Sequence, residues 1–340
     1  MSNFKPEGQL ISEKSNKEFL SSLSSLKEAY HLGAVLESRV LLCDRDHNLK
    51  VDLGCTYGII PHNEGALGID DGSVRDIALI SRVNKPVMFK ITGFDTDEDG
   101  NEYALLSRKA VQSDCMRDYV SHLRPGDVIK ARVAHMENFG VFLDIGAGIN
   151  GLLPIDSISV SRIPHPSVRF SAGQMIKVIV KSSDEHGRLT FSHKELLGTW
   201  EQNAGEFTPG ETVPGIVRSI ESYGIFVELA PNLAGLAEYA PGVQAGSHAG
   251  VYIKSIVPER MKIKLIIVDS FDAEYPNPQI KYYTDSDHID HRVYSPDKCP
   301  KIIESVFLKL RLLLRALLET SEAFWHNPTK CALNFPFYGK

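Results

Sequence analysis

Glu137 to Ser159 reads ENFGVFLDIGAGINGLLPIDSIS. Within it Gly146, Gly148 and Gly151 spell G-x-G-x-x-G, the outline of a dinucleotide-binding turn. Such a turn needs a strand before the glycines and a helix after them, its N-terminus facing the pyrophosphate. A strand does precede them: Val141, Leu143 and Ile145 fall on one face, Phe142 and Asp144 on the other. After Gly151, however, come Leu152, Leu153 and Pro154, which read as a second strand and a stop. The glycines are therefore expected to form a hairpin between two strands. The Val141 face builds a core, and the aromatic on the opposite face needs a different role.

The same rhythm returns in ESYGIFVELAPNLAGLAEYAPGV, Glu221 to Val243, without the glycine outline. It is part of an internal repeat. From Val35, from Pro125 and from Pro209 the chain runs through about five short strands separated by turn chemistry. Strands so short and so regular suit small closed β-barrels, because closure removes exposed sheet edges. The boundaries drawn from this pattern are a helical extension over 1–29, repeat one over 30–113, repeat two over 122–197, repeat three over 206–270 and an irregular tail over 271–340. In the extension, Ser15 and Glu18 fit a capping box, Leu20, Leu23 and Leu26 recur at helical spacing, and Gly33 is the expected stop. Short helices are expected in the linkers VQSDCMRDYVSHLRPG and ELLGTWEQNAGEFTPG. In the tail, Ile302 to Glu319 reads as an amphipathic or buried helix, since Lys309, Arg311 and Arg315 interrupt its apolar run and argue against a membrane span.

The 340-residue chain is 43% hydrophobic and 24% charged, with a formal net charge of −6. That balance fits a globular protein and argues against coating nucleic acid by bulk charge. It leaves room for one local face: from His122 to Lys194, nine basic side chains stand against six acidic ones, a net +3. The five cysteines (Cys43, Cys55, Cys115, Cys299, Cys331) form no C-x-x-C pair and are expected to be reduced thiols. The N-terminus has no apolar core of a signal peptide, so a cytoplasmic protein is expected.

PGDVIKARVAHMENFGVFLDIGAGINGLLPIDSI, followed by FSAGQMIKVIVKSSDEHGRLTFSHKE, resembles the RNA-binding repeat of bacterial ribosomal protein S-one. Repeat two matches along nearly its whole length. Repeat three matches through GETVPGIVRSIESYGIFVELAPNLAGLAEY and then drifts, and repeat one matches through GIIPHNE and YALLSRKA. The resemblance implies a mainly β fold of tandem five-stranded oligonucleotide-binding (OB-fold) barrels with short linker helices, and single-stranded RNA as ligand. It implies stacking by Phe139 and Phe142 and an acid–base pair, Asp184 and Arg188, flanking the last hairpin. A histidine that often follows the third strand is replaced by Pro154. In repeat three the corresponding positions hold Tyr223, Phe226 and Lys262, with Pro258 at the acid position and Glu238, which would repel phosphate, at the histidine position. In repeat one they hold His47 and Lys50, with Tyr103 where a base is expected, and no RNA binding is expected there.

These residue types suit the task. Single-stranded bases expose flat faces, and an outward ring offers each a platform worth ~1–3 kcal/mol. Arg188 can pair with phosphate or lie on a base, and Asp184 can hold its guanidinium. A ring on a strand is ordinarily core; only the repeat match turns Phe139 and Phe142 toward a ligand.

The expected function is non-catalytic RNA binding in translation or mRNA handling. The small ribosomal subunit is an expected partner through repeat one, with no cofactor, no metal and no membrane partner. A scaffold whose barrels have lost RNA and bind protein instead is the second reading, with NPQIKYYTD as its docking segment. DTDEDGNEYALL, from Asp95, begins like a calcium loop but has Leu106 where the bidentate Glu belongs, and is expected to be a hairpin tip. DSDHIDH, from Asp285, matches no named metal spacing. No Walker loop or nucleophile elbow is present, so an enzyme reading lacks a convergent catalytic set.

Overall fold

Alternating apolar residues close the chain into three five-stranded barrels, in a computed structural model that describes residues 4–185, 187–273 and 279–307. Helices α1 (Lys14–Phe19) and α2 (Leu23–Leu32) lead into β1 (Leu36–Cys43), β2 (Leu49–Asp52) and β3 (Tyr57–Ile60). A short α3 (Ile77–Ile80), β4 (Pro86–Thr96) and β5 (Glu102–Ser107) complete barrel one, and α4 (Arg108–Asp118) leads to the next. Barrel two comprises β6 (Val128–Glu137), β7 (Gly140–Gly146), β8 (Ile149–Pro154), β9 (Met175–Ser183) and β10 (Leu189–Ser192). After α5 (Trp200–Ala204), barrel three comprises β11 (Thr212–Glu221), β12 (Gly224–Ala230), β13 (Leu233–Ala237), β14 (His248–Val257) and β15 (Lys262–Phe271). All three follow one topology. Neighbours pair antiparallel except the third and fifth strands, which run parallel at Gly58↔Ala104, Leu152↔Thr190 and Leu236↔Lys264. The mainly β fold of tandem OB-like barrels is thus as expected.

Each barrel closes around its own core. Val141, Leu143 and Ile145 of β7 are at most 1% exposed, the face the alternation assigned to the interior. A linker helix seals each end: α2 brings Leu26 and Ala29 to barrel one, α4 brings Val111 and Cys115 to barrel two, and α5 brings Trp200 and Ala204 to barrel three. Ser107 caps α4 by accepting from the Ala110 N–H at 2.9 Å, and Thr199 with Gln202 forms a capping box on α5.

The glycine outline is a hairpin. Ala147 and Gly148 form a two-residue turn with φ of 52° and 74°, the left-handed pair of a tight β-hairpin. Gly151 serves a different need, because a Cβ there would lie 2.4 Å from the Phe191 ring on β10. Gly58 and Gly235, at the same place in β3 and β13, face Leu106 and Leu265 equally closely. The turn is also buried: Asp144 accepts from the N–H groups of Gly146, Gly148 and Glu7, and the Ala147 N–H donates to the Lys5 carbonyl at 2.9 Å. What looks like a ligand loop is the seam where the N-terminal segment joins barrels one and two.

Some details differ from the sequence reading. Ser15 lies inside α1, whose N-cap is Glu13 without a side-chain bond; Ser22 caps α2 instead, accepting from the Ser25 N–H at 3.2 Å. Gly33 does end α2, at φ 62°. Asp97 turns the hairpin tip at the calcium-like segment, accepting from the N–H groups of Asp99 and Asn101. Residues 279–307 are no free tail: they strap onto barrel two. Val128 N–H donates to the Asp287 carbonyl, Ile289 N–H to the Gly126 carbonyl, and Phe307 is buried with Ile179 and Leu196. This strap contains the paired strands β16 (His291–Val293) and β17 (Glu304–Val306), so the segment expected to be helical from Ile302 begins with a strand. The rest of that segment, Cys331, residues 274–276 and residues 277–278 at the start of the expected docking segment lie outside the described residues. Among the described residues, no helix is long and apolar enough to cross a membrane.

Candidate nucleic-acid interface

Strand register places one row of side chains across the outside of barrel two. Phe142 on β7 pairs with Leu152 on β8, which pairs with Thr190 on β10. Arg188 lies two residues before Thr190 and so shares its face. On the other side of the row, His135 on β6 pairs with Phe142. Pleating therefore gathers a histidine, a phenylalanine and a cation on one surface from separate stretches of chain.

Phe139, in the β6–β7 turn, is 55% exposed. Its ring meets Phe142 edge to face, centroids 6.0 Å apart at 88°. His135 lies nearly parallel to Phe142 at 6.4 Å and 19°, and its Nε2 is 2.5 Å from Glu137 Oε1. Sequence reasoning missed His135; the available signal was its place on the strand preceding the aromatic pair, but only register sets it opposite Phe142. Asp184 receives two bonds from Arg188: its backbone N–H donates to Oδ1 at 2.8 Å and Nε to Oδ2 at 2.7 Å. This pair sits at the β9–β10 hairpin, so the acid orients the base, and the two phenylalanines form a separate group along the same face. The local positive balance is not all available to a ligand, however. Arg169 is buried, its guanidinium donating to Glu228 of barrel three at 2.6 Å.

Barrel three repeats the arrangement. Tyr223 is 68% exposed and meets Phe226 edge to face at 6.1 Å and 88°, nearly the geometry of the first pair. Its row runs Phe226–Leu236–Lys264, with Lys262 two residues upstream on the same face, the place of Arg188. Ser219 stands where barrel two has His135, and Glu238 is exposed beyond β13. Barrel one has a different surface. Its row is Lys50–Ile59–Leu105, and Tyr57 and Tyr103 stack on each other at 5.2 Å and 6° with Lys50 Nζ 3.8 Å from the Tyr57 ring. Those rings are already stacked on each other.

Residues 122–194, which span barrel two, match the family described as S1 RNA binding domain. Over 290 residues the chain is 29% identical to small ribosomal subunit protein bS1 of Staphylococcus aureus (strain COL), covering 80% of this chain and 70% of that protein. The bS1 of Staphylococcus saprophyticus is 31% identical over 198 residues, 54% of this chain and 50% of that protein. A crystal structure of a multidomain protein with nucleic acid binding domains from Streptococcus pneumoniae aligns over 70% of this chain and 74% of its own, at 14% identity and a TM-score of 0.22, a likeness too slight to argue from. Barrel two thus matches the S1 RNA binding domain family, and the chain around it is similar to the bacterial ribosomal protein bS1.

Proposed function

We propose that the protein binds single-stranded RNA, without catalysing its turnover, through the outer faces of barrels two and three. The observation that carries this reading is the recurrence of one constellation on two barrels: an exposed ring edge-on to a second ring, and a cation two residues before the end of the same row. Core packing does not require such a pair to be repeated at the surface, whereas stacking on bases does. Phe139 and Phe142 form the main platform, Arg188 held by Asp184 takes phosphate or a base, and Tyr223, Phe226 and Lys262 form the second platform. Glu238 weakens that second platform toward phosphate. Similarity to bS1 supports a role in translation at the small ribosomal subunit, with messenger RNA as the strand bound. Barrel one, its rings self-paired and Leu41, Leu42, Ile77 and Ile80 exposed, is the part suited to docking on protein.

Fluorescence anisotropy of a labelled single-stranded RNA tests the reading. Wild type is expected to bind, and Phe139→Ala/Phe142→Ala to lose about 2–4 kcal/mol, the worth of two stacked bases. The logarithm of affinity should fall with the logarithm of salt at a slope of about −0.7 per phosphate neutralised. Absence of binding at low salt would leave the barrels as protein-docking modules.

A further inference from the structure

Barrel one carries different chemistry at the place where its siblings expose a ring. His47 occupies the turn before β2, the position of Phe139 and Tyr223 in the other barrels, with a left-handed backbone at φ 61°. His62 opens the single helical turn after β3, and Asp76 immediately precedes α3. His47 Nδ1 or Nε2, an imidazole nitrogen of His62 and a carboxylate oxygen of Asp76 all lie within 4.8 Å of one another. Asp76 joins the two rings: Oδ1 is 2.7 Å from His62 Nε2 and Oδ2 is 3.7 Å from His47 Nδ1. The ring centroids are 5.7 Å apart, and the two histidines are half-buried while Asp76 stands at the surface. The two histidine-bearing turns are tied together. Asp44 accepts from the Asn48 N–H at 2.8 Å, and the Asn48 side-chain oxygen accepts from the His62 N–H at 3.0 Å.

We propose that His47, His62 and Asp76 bind a divalent transition-metal ion of the zinc class. Two imidazole nitrogens and one carboxylate oxygen are a donor set that such ions favour, and three protein ligands leave a fourth position for water or an incoming acceptor. Ligands about 2.0–2.2 Å from zinc stand roughly 3.3 Å apart at tetrahedral angles. The present 2.7 and 3.7 Å separations bracket that value, so small side-chain rotations suffice. Where Nε2 of His62 carries the proton it shares with Asp76, that proton moves to Nδ1 as the metal takes its place. The open position lies at the rim of the face that carries Phe139 in barrel two.

The test is titration of the full chain with Zn²⁺ against a chromophoric chelator, and with Co²⁺ followed by visible absorption. One equivalent of metal is expected to bind. His47→Asn, chosen because asparagine tolerates the left-handed backbone, and His62→Ala should each weaken binding by about tenfold or more with the circular dichroism unchanged. Cys43→Ser, which alters a half-buried thiol at the end of β1, should leave binding intact. Failure of the wild type to take up stoichiometric metal overturns the proposal, as does binding that both histidine variants retain. No RNA enters the experiment, so its outcome is independent of the RNA-binding reading.

Discussion

At the residue scale, two histidines have opposite surroundings. His135 lies open beside Phe142, whereas His193 is 2% exposed between the rings of Phe170 and Tyr282. Its Nδ1–H donates to the Ile158 carbonyl at 3.0 Å. Burial pushes its pKa down to about 4, the Ile158 bond opposes this, and nearby Arg169 adds to the depression. The sign follows directly. Unfolded His193 takes up a proton near pH 6.5 and the folded residue near 4, so its contribution is complete above 6.5 and is lost as pH falls toward 4, about 3 kcal/mol in all. Urea denaturation between pH 7.5 and 4.5 should show that loss. In His193→Leu the slope should shrink, while stability at pH 7.5 drops by about 1 kcal/mol for the lost bond.

At the element scale, one glycine in the third strand of each barrel lets that strand approach the fifth. Gly151→Ala would place a methyl 2.4 Å from the Phe191 ring and 2.8 Å from the Leu189 carbonyl. Neither β10 backbone nor a fully buried ring yields cheaply, so a loss of about 1–3 kcal/mol is expected. Gly93→Ala is the control: its Cβ would meet only Leu105 Cδ1, at 3.9 Å, at a backbone angle any residue adopts. It should change stability by less than about 0.5 kcal/mol. Denaturant midpoints of the two variants decide the matter. Hairpin geometry also explains the twin aromatic pairs, since each has one ring in the turn before the second strand and one on that strand.

At the scale of the whole molecule, buried polar groups help to join the barrels, beside apolar contacts such as that of Met88 of barrel one with the core of barrel two. Glu7 bonds Arg108 at 2.7 Å and Arg82 at 3.1 Å beneath barrels one and two. Glu228 of barrel three binds Arg218 through two bonds and Arg169 of barrel two through one, all three side chains under a tenth exposed. Asn232, fully buried at the β12–β13 turn, accepts from the Val160 N–H and donates to the Lys194 and Gly198 carbonyls. These bonds fix the platforms of barrels two and three relative to each other. Glu228→Gln leaves two buried guanidiniums without their counter-charge, and a loss of about 3–5 kcal/mol is expected. Calorimetry should then show barrel three melting apart from barrel two, while RNA affinity through Phe139 and Phe142 persists in weakened form.

The repeat and its alternation determined the barrels, because apolar period and turn residues are local properties of the chain. Alternation set Phe142 on the face opposite the core, but it was the resemblance to the S-one repeat that singled out Phe139, Phe142, Tyr223 and Phe226. His135 was not legible in this way: its partnership with Phe142 depends on the register between β6 and β7, which shifts between Val133 and His135. Nor was the fate of Arg169, counted as surface charge until the third barrel's Glu228 is seen against it. Apart from the β16–β17 pair, residues 279–307 show no period because their bonds go outward, to barrel two and to Asn232 of barrel three. Sequence alone therefore determined what each barrel is. Only the tertiary structure decided how the barrels are joined, which cations remain for a ligand, and that three side chains of barrel one meet, because those facts rest on contacts between residues far apart in the chain.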